Sequence, residues 1–174
     1  VARLLVERDS TVVVESPCYQ GAAYVFESFG ADLYPVPVDA DGINTARLPD
    51  MPNPVAYVTP SHQYPRGVTL SLERRIALLT WASERQGYIV EDDYDSDFRF
   101  VGSPLTALKG IDRNERVFYL GTFSKCMGPA LRLGFVVVPR AFAKAARTLK
   151  ALMNNGQSWL EQAAMADFMT SGAY

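Results

Sequence analysis

In the stretch "YLGTFSKCMGPALRLGF", residues 119–135, one lysine, Lys125, stands between a hydroxyl-rich turn and a Gly-Pro pair, and Arg132 follows seven residues later. A lysine becomes a nucleophile or a Schiff-base partner when burial and neighbouring cations disfavour its charge. Thr122 and Ser124 offer hydroxyls beside it, and Arg132 offers a fixed cation for an anionic group. An exposed loop position is the commoner fate of a lysine, but this setting favours chemistry.

The second cluster is "VEDDYDSDFRF", residues 90–100, where Asp92 and Asp93 close an apolar run. Such acids serve as metal ligands, as a helix cap or as partners of a buried cation. The chain has one histidine and no third carboxylate cluster of suitable spacing, which weighs against a metal. A carboxylate facing a protonated ring nitrogen fits better, because it keeps that nitrogen charged and makes the ring a stronger electron sink. Tyr94, two residues on, can then bond a phenolic oxygen of the same ring. Asp95 and Asp97 read as solvated or loop-capping acids.

Two further groups complete the set. His62, the only histidine, lies with Gln63 in "TPSHQYPRG", residues 59–67. Both are candidates to line a pocket, against a plain structural hydrogen-bonding role for the histidine. Tyr19 in "SPCYQG", residues 16–21, follows a strand, where an aromatic can stack on a flat cofactor or lie half-buried at a helix start.

Short β-rich runs that alternate with helical patterns must position these residues. Strands are predicted at "TVVVE" (11–15), "DLYPVPV" (32–38, proline-punctuated and so near an edge), "VAYVTP" (55–60), "YIVEDD" (88–93), "RVFYLGTF" (116–123) and "LGFVVVP" (133–139). Helices are predicted from Tyr19 to Gly30, from a Ser71 cap to Gly87 with Ile76, Leu79, Trp81 and Ala82 as the apolar stripe, from Phe142 to about Leu152, and from Ser158 to Met169. This alternation implies a mainly parallel sheet covered on both faces, a three-layer α-β-α architecture. Ligands in such sheets sit beyond the carboxyl ends of the strands, where the polar clusters of this chain fall.

The chain has 174 residues, 48% of them hydrophobic, and a formal net charge of −2. That suits one domain with a sizeable core or a large piece of a bigger one. No run approaches the ~18 apolar residues of a membrane span, and there is no leader-like segment. Cys18 and Cys126 are far apart and lack metal spacing, so a reducing, cytoplasmic context is expected. The mild acidity argues against these residues forming a nucleic-acid surface themselves. Val1 opens partway through an apolar-periodic run and the last helical pattern stops at Gly172, which suggests a fragment.

"EDDYDSDFRF", "YLGTFSK" and "PALRLGF", in this order, resemble the aminotransferase-like domain of MocR-type regulators of the GntR class, within the fold-type I pyridoxal-phosphate (PLP) superfamily. The resemblance runs from "VVVESPCYQGA" through "TPSHQYPRG" to "EQAAMADFMTSGAY", essentially all of residues 1–174. It implies most of a PLP-binding large domain. It also implies an N-terminal DNA-binding domain, a turn completing the phosphate cup and a C-terminal small domain outside these residues. By resemblance Lys125 is the Schiff-base lysine, Asp92 the partner of the pyridine nitrogen and Tyr94 the hydroxyl on the ring's O3′. Ser124, Arg132 and Thr122 are phosphate-side groups, and Tyr19 is the stacking aromatic. His62 and Gln63 replace the asparagine-proline turn of ordinary aminotransferases. Cys126 and Met127 depart from the polar or aliphatic residues expected there.

Two functions follow. One is an effector domain that senses an amino acid, an amine or PLP and alters DNA binding elsewhere in a homodimeric regulator. The other is a true aminotransferase of amino-acid metabolism. The acid cluster favours the regulator, since ordinary aminotransferases usually carry a proline before the tyrosine. A plain α/β domain without PLP would leave Lys125 an ordinary loop residue.

Overall fold

Val12, Val13 and Val14 carry branched Cβ atoms that pack well on a pleated surface and crowd a helix. In the computed structural model they form the buried middle of a central strand. The structure describes residues 1–95, 106–155, 159–172 and 174. In chain order the elements are α1 (Ala2–Leu5), β1 (Thr11–Ser16), α2 (Gln20–Ser28), β2 (Asp32–Asp39), β3 (Gly42–Ile43), β4 (Val55–Val58) and α3 (Leu72–Glu84). There follow β5 (Tyr88–Asp93), α4 (Leu108–Ile111), β6 (Val117–Thr122), β7 (Gly134–Val137), α5 (Ala143–Asn154) and α6 (Trp159–Thr170).

The strands form one sheet in the order β3-β2-β1-β4-β5-β6-β7. β2, β1, β4, β5 and β6 run parallel, and antiparallel β3 and β7 close the two edges. Chain order reverses between β1 and β4, so their carboxyl ends open the crevice where ligands of such sheets bind. Proline-containing β2 lies next to the edge, as its sequence implies.

Side chains leave the strands alternately up and down, so each face gathers its own core. Val13, Ala56, Val58 and Ile89 pack with Leu78, Trp81 and Ala82 of α3 and Leu108 of α4. Val12, Val14, Val55, Tyr57 and Val90 pack with Ala23 and Phe26 of α2. Burying each large apolar side chain contributes about 1.5–3 kcal/mol. The three-layer α-β-α expectation therefore holds.

Helix α3 begins as its sequence implies, with Ser71 Oγ accepting from the Arg74 amide at 3.4 Å. Its inward face differs from the expected stripe. Ile76 is 54% exposed, and Arg75 is buried at 1%. The guanidinium tolerates that position because its donors are used: it bonds the carbonyls of Leu70 (2.9 Å), Pro60 (2.8 Å) and Thr106 (3.2 Å) and lies 4.0 Å from Glu91 Oε1. A buried cation so bonded and paired avoids most of the desolvation cost. Arg75 thereby ties α3 to the loop after β4.

The left-handed residue that stops α3 is Gln86 (φ 56°) rather than Gly87, which lies so close to Pro54 that a Cβ there would strike its carbonyl oxygen. Gly30 takes the left-handed conformation (φ 84°) just past α2, as anticipated. The last helix is described from Trp159 to Thr170; Ser158 and Asp97 lie outside the described residues. α1, β3 and α4 are too short to announce themselves in the sequence.

Candidate functional site

The parallel strands release the chain at one edge of the sheet, and a cavity of about 560 Å³ opens there. Tyr19 reaches it from the segment after β1, Asp92 and Tyr94 from the end of β5, and Thr122, Ser124, Lys125 and Arg132 from β6 and the turn beyond it. Seven residues singled out in the sequence thus line a single cavity.

Asp92 lies on the face of β5 that carries Val90, and across from it Tyr57 of β4 donates its phenolic proton to Asp92 Oδ2 at 2.5 Å. Burial raises the Asp92 carboxyl above the usual range, the Tyr57 bond opposes the rise, and the charges of Asp93 and Asp95 add to it. Burial and the neighbouring Asp92 in turn push the Tyr57 hydroxyl far up, so it stays a donor.

Tyr94 donates to the His62 carbonyl at 3.0 Å. Its hydroxyl is pushed up to about 12, by burial first and then by the Asp95 and Asp92 carboxylates. Tyr94 therefore remains protonated at any ordinary pH.

Lys125 rides on the turn that joins the antiparallel strands β6 and β7. The turn is closed by bonds from the Phe123 amide to the Leu133 carbonyl (3.0 Å) and from the Met127 amide to the Phe123 carbonyl (2.9 Å), and Thr122 Oγ1 accepts from the Ser124 amide at 3.1 Å. The lysine is exposed rather than buried, lying three residues past the end of β6 at Thr122. Its Nζ stands 6.0 Å from the Tyr94 ring centroid, at the outer limit of cation–π contact. Arg132 follows a 3₁₀ turn (Pro129–Leu131) and is itself left-handed, at φ 49° and ψ 35°, so the chain reverses and both cations line the same cavity.

Two expected lining residues are placed elsewhere. His62 Nδ1 pairs with Asp95 Oδ2 at 3.1 Å, the structural hydrogen-bonding role weighed for the histidine, and Asp95 is tied to it rather than simply solvated. Gln63 is buried at 1% exposure, and its amide donates to the carbonyls of Pro17 (2.8 Å) and Tyr64 (2.7 Å). Both residues brace the loop behind the cavity. Asp93 is buried too and accepts from the Tyr119 hydroxyl at 2.6 Å.

Three lining residues escaped the sequence reading: Tyr57, Thr59 and Tyr64. The Tyr64 ring stands edge-on to Tyr19 (5.7 Å between centroids) and to Tyr94 (6.3 Å). The signal for Tyr57 was available only through strand register, which pairs it with Val90 and so sets it diagonally beside Asp92. Among the described residues the cavity offers one primary amine, one carboxylate backed by the Tyr57 phenol, several hydroxyls, one guanidinium and three further tyrosine rings. Such a set can hold a flat anionic molecule and condense its carbonyl with an amine.

Comparison with known proteins agrees with this geometry. A family model described as aminotransferase class I and II matches residues 1–172. The chain is 41% identical over 177 residues to the probable rhizopine catabolism regulatory protein MocR of Rhizobium meliloti, covering 100% of this chain and 35% of that protein. It is 36% identical over 160 residues to the HTH-type pyridoxine biosynthesis transcriptional regulator PdxR of Corynebacterium glutamicum, covering 92% of this chain and 35% of that one. The chain thus spans about a third of the length of these relatives. Among solved structures, the Pyrococcus horikoshii kynurenine aminotransferase in complex with PMP superposes with a TM-score of 0.93 at 29% identity, over 99% of this chain and 45% of that one.

Proposed function

The chain belongs to the aminotransferase class I and II family, and on that premise we propose that residues 1–174 are most of the PLP-binding large domain of a MocR-type regulator. The observation that carries this reading is the convergence of Lys125 and Asp92 on one cavity from two different strand ends. The residues present fit the cofactor. Lys125 supplies the amine for its aldehyde, Asp92 a carboxylate for its ring nitrogen, Tyr94 a hydroxyl for its phenolic oxygen, and Ser124, Thr122 and Arg132 donors for its phosphate. Tyr19 supplies a flat face.

Bound there, pyridoxal phosphate supplies an aldehyde that exchanges between amines and a ring that accepts negative charge from the carbon beside the amine. The protein's part is to hold and orient. The Tyr57 hydrogen bond favours the ionised form of Asp92 against burial, and an ionised Asp92 would favour a protonated partner nitrogen. Tyr94 keeps its proton, which would have to turn from the His62 carbonyl to give the ring oxygen a neutral hydrogen bond. With the cofactor's aldehyde engaged by another amine, the Lys125 side chain would be placed to take and return a proton.

The whole protein on this reading is a cytoplasmic homodimer. An amino acid, an amine or PLP itself is its effector, and a DNA-binding domain outside these residues carries the response. The names of the most similar relatives support the regulatory role. The fit to aminotransferase structures favours a second reading, a metabolic transaminase, because nothing in the pocket separates sensing from turnover.

One experiment tests the assignment. Full-length protein mixed with PLP is expected to gain an absorption band near the visible range that borohydride fixes to Lys125. A Lys125→Ala variant that keeps the band would reject the reading. Transfer of the amino group to a 2-oxo acid with many turnovers would favour the transaminase.

A further inference from the structure

Glu15 is a carboxylate with 2% exposure at the carboxyl end of β1, and it does not line the cavity. A buried acid of this kind needs donors, and here they come from the strand across the crevice. Glu15 Oε2 accepts from the Thr59 amide at 3.2 Å and from Thr59 Oγ1 at 2.8 Å. Gln63 Nε2 stands 3.1 Å away, but its two protons already have closer acceptors in the Pro17 and Tyr64 carbonyls. Thr59 Oγ1, having given its proton to Glu15, accepts from the Tyr64 amide at 3.0 Å. An oriented relay thus runs from Tyr64 N–H through the Thr59 hydroxyl to Glu15. At its far end the Tyr64 ring stands at the cavity between Tyr19 and Tyr94.

The direction of the relay matters. A threonine hydroxyl has one proton, and an acceptor on the far side fixes it pointing away from the Tyr64 amide. Glu15 is that acceptor. Without it the hydroxyl is free to turn, and the backbone of Tyr64 loses a fixed anchor, although no cavity-lining side chain has been removed.

We propose that Glu15 is a positioning residue of the site, which acts through Thr59 to hold Tyr64 as a wall of the cavity against the ligand ring system. The proposal rests on the PLP-binding reading for the identity of the ligand, but the relay itself does not.

The test uses full-length protein, with PLP as the probe. Glu15→Leu removes the acceptor; Glu15→Gln keeps a carbonyl oxygen for the Thr59 hydroxyl. Glu15→Leu is expected to weaken PLP binding on the order of tenfold, with Glu15→Gln close to wild type. In a Tyr64→Ala background the Glu15→Leu loss should largely disappear, as it must if the two act in series. In cofactor-free protein, amide hydrogen exchange at Tyr64 should quicken in Glu15→Leu while the β4 amides keep their protection. Should Glu15→Leu fail to fold, Thr59→Val cuts the same relay and is expected to act alike. Unchanged PLP affinity in a folded variant, a loss that is additive with Tyr64→Ala, or unaltered exchange at Tyr64 would each overturn the proposal. If wild-type protein takes up no PLP, the cofactor reading fails, and the exchange measurement alone decides the relay.

Discussion

Tyr57 and Asp92, 35 residues apart in sequence and on adjacent strands, share a 2.5 Å hydrogen bond at the floor of the cavity. The phenol donates and the carboxylate accepts, so the bond favours the ionised acid. Tyr57→Phe deletes the donor and leaves the shape. The Asp92 pKa then rises further, since burial acts unopposed. PLP affinity should fall roughly 5- to 30-fold at neutral pH, the equivalent of about 1–2 kcal/mol. The pH below which binding weakens should move upward, as a spectroscopic titration of variant and wild type would measure.

Glu15 gives a stability prediction. Burial raises its carboxyl from 4.5 to about 7, and the hydrogen bonds it accepts only partly offset this. Asp92 on β5 pushes the same way, and Glu15 in turn raises Tyr57 on β4 and Cys18. A carboxyl whose folded pKa lies above its unfolded one favours folding fully below the unfolded value and loses that contribution as pH climbs through the folded value. The melting temperature of the wild type relative to Glu15→Gln should therefore decline between pH ~4.5 and ~7 and level off above. A difference that is flat across this window would refute the assignment.

Arg75 is expected to be a stability residue with no spectroscopic effect. Arg75→Met leaves the Leu70 and Thr106 carbonyls without the guanidinium donor, leaves the Pro60 carbonyl its bond from the Leu70 amide, and deprives buried Glu91 of its cation, although the amides of Leu108 and Lys109 still bond it. A loss of about 3–5 kcal/mol is expected in denaturant unfolding. The absorption band with PLP should persist in the fraction that stays folded.

His62 should matter less than its rarity suggests. His62→Ala removes a partly exposed pair with Asp95 but keeps the backbone carbonyl that Tyr94 bonds. Stability should fall by no more than about 1 kcal/mol and PLP affinity by less than about threefold. A loss as large as that of Tyr57→Phe would mean that His62 reaches the ligand.

The parts of this site that sequence made legible are those whose chemistry is local. Lys125, Ser124, Thr122 and Arg132 lie within one turn, and Asp92 and Tyr94 within one strand end, so spacing alone gathers them. Tyr57 escaped notice because its meaning lies in its partner, and the β4–β5 register that joins them is nowhere in the string. Arg75 and Ile76 show the converse: by hydropathy the isoleucine faces inward, but three backbone carbonyls and a carboxylate make the inner position better for the arginine. Gln63 is a pocket-lining candidate by its place in the turn after a strand, but its polarity serves two carbonyls of the chain itself.

The ring closed by the Phe123–Leu133 bond carries Lys125 and Arg132 on a single hairpin, while Asp92 belongs to the neighbouring parallel strand. The two positive groups consequently travel together, and β7, which bears one side of the hairpin, is the outermost strand of the sheet. A molecule held by these cations and by Asp92 would therefore bridge a border ribbon and an inner strand of the sheet.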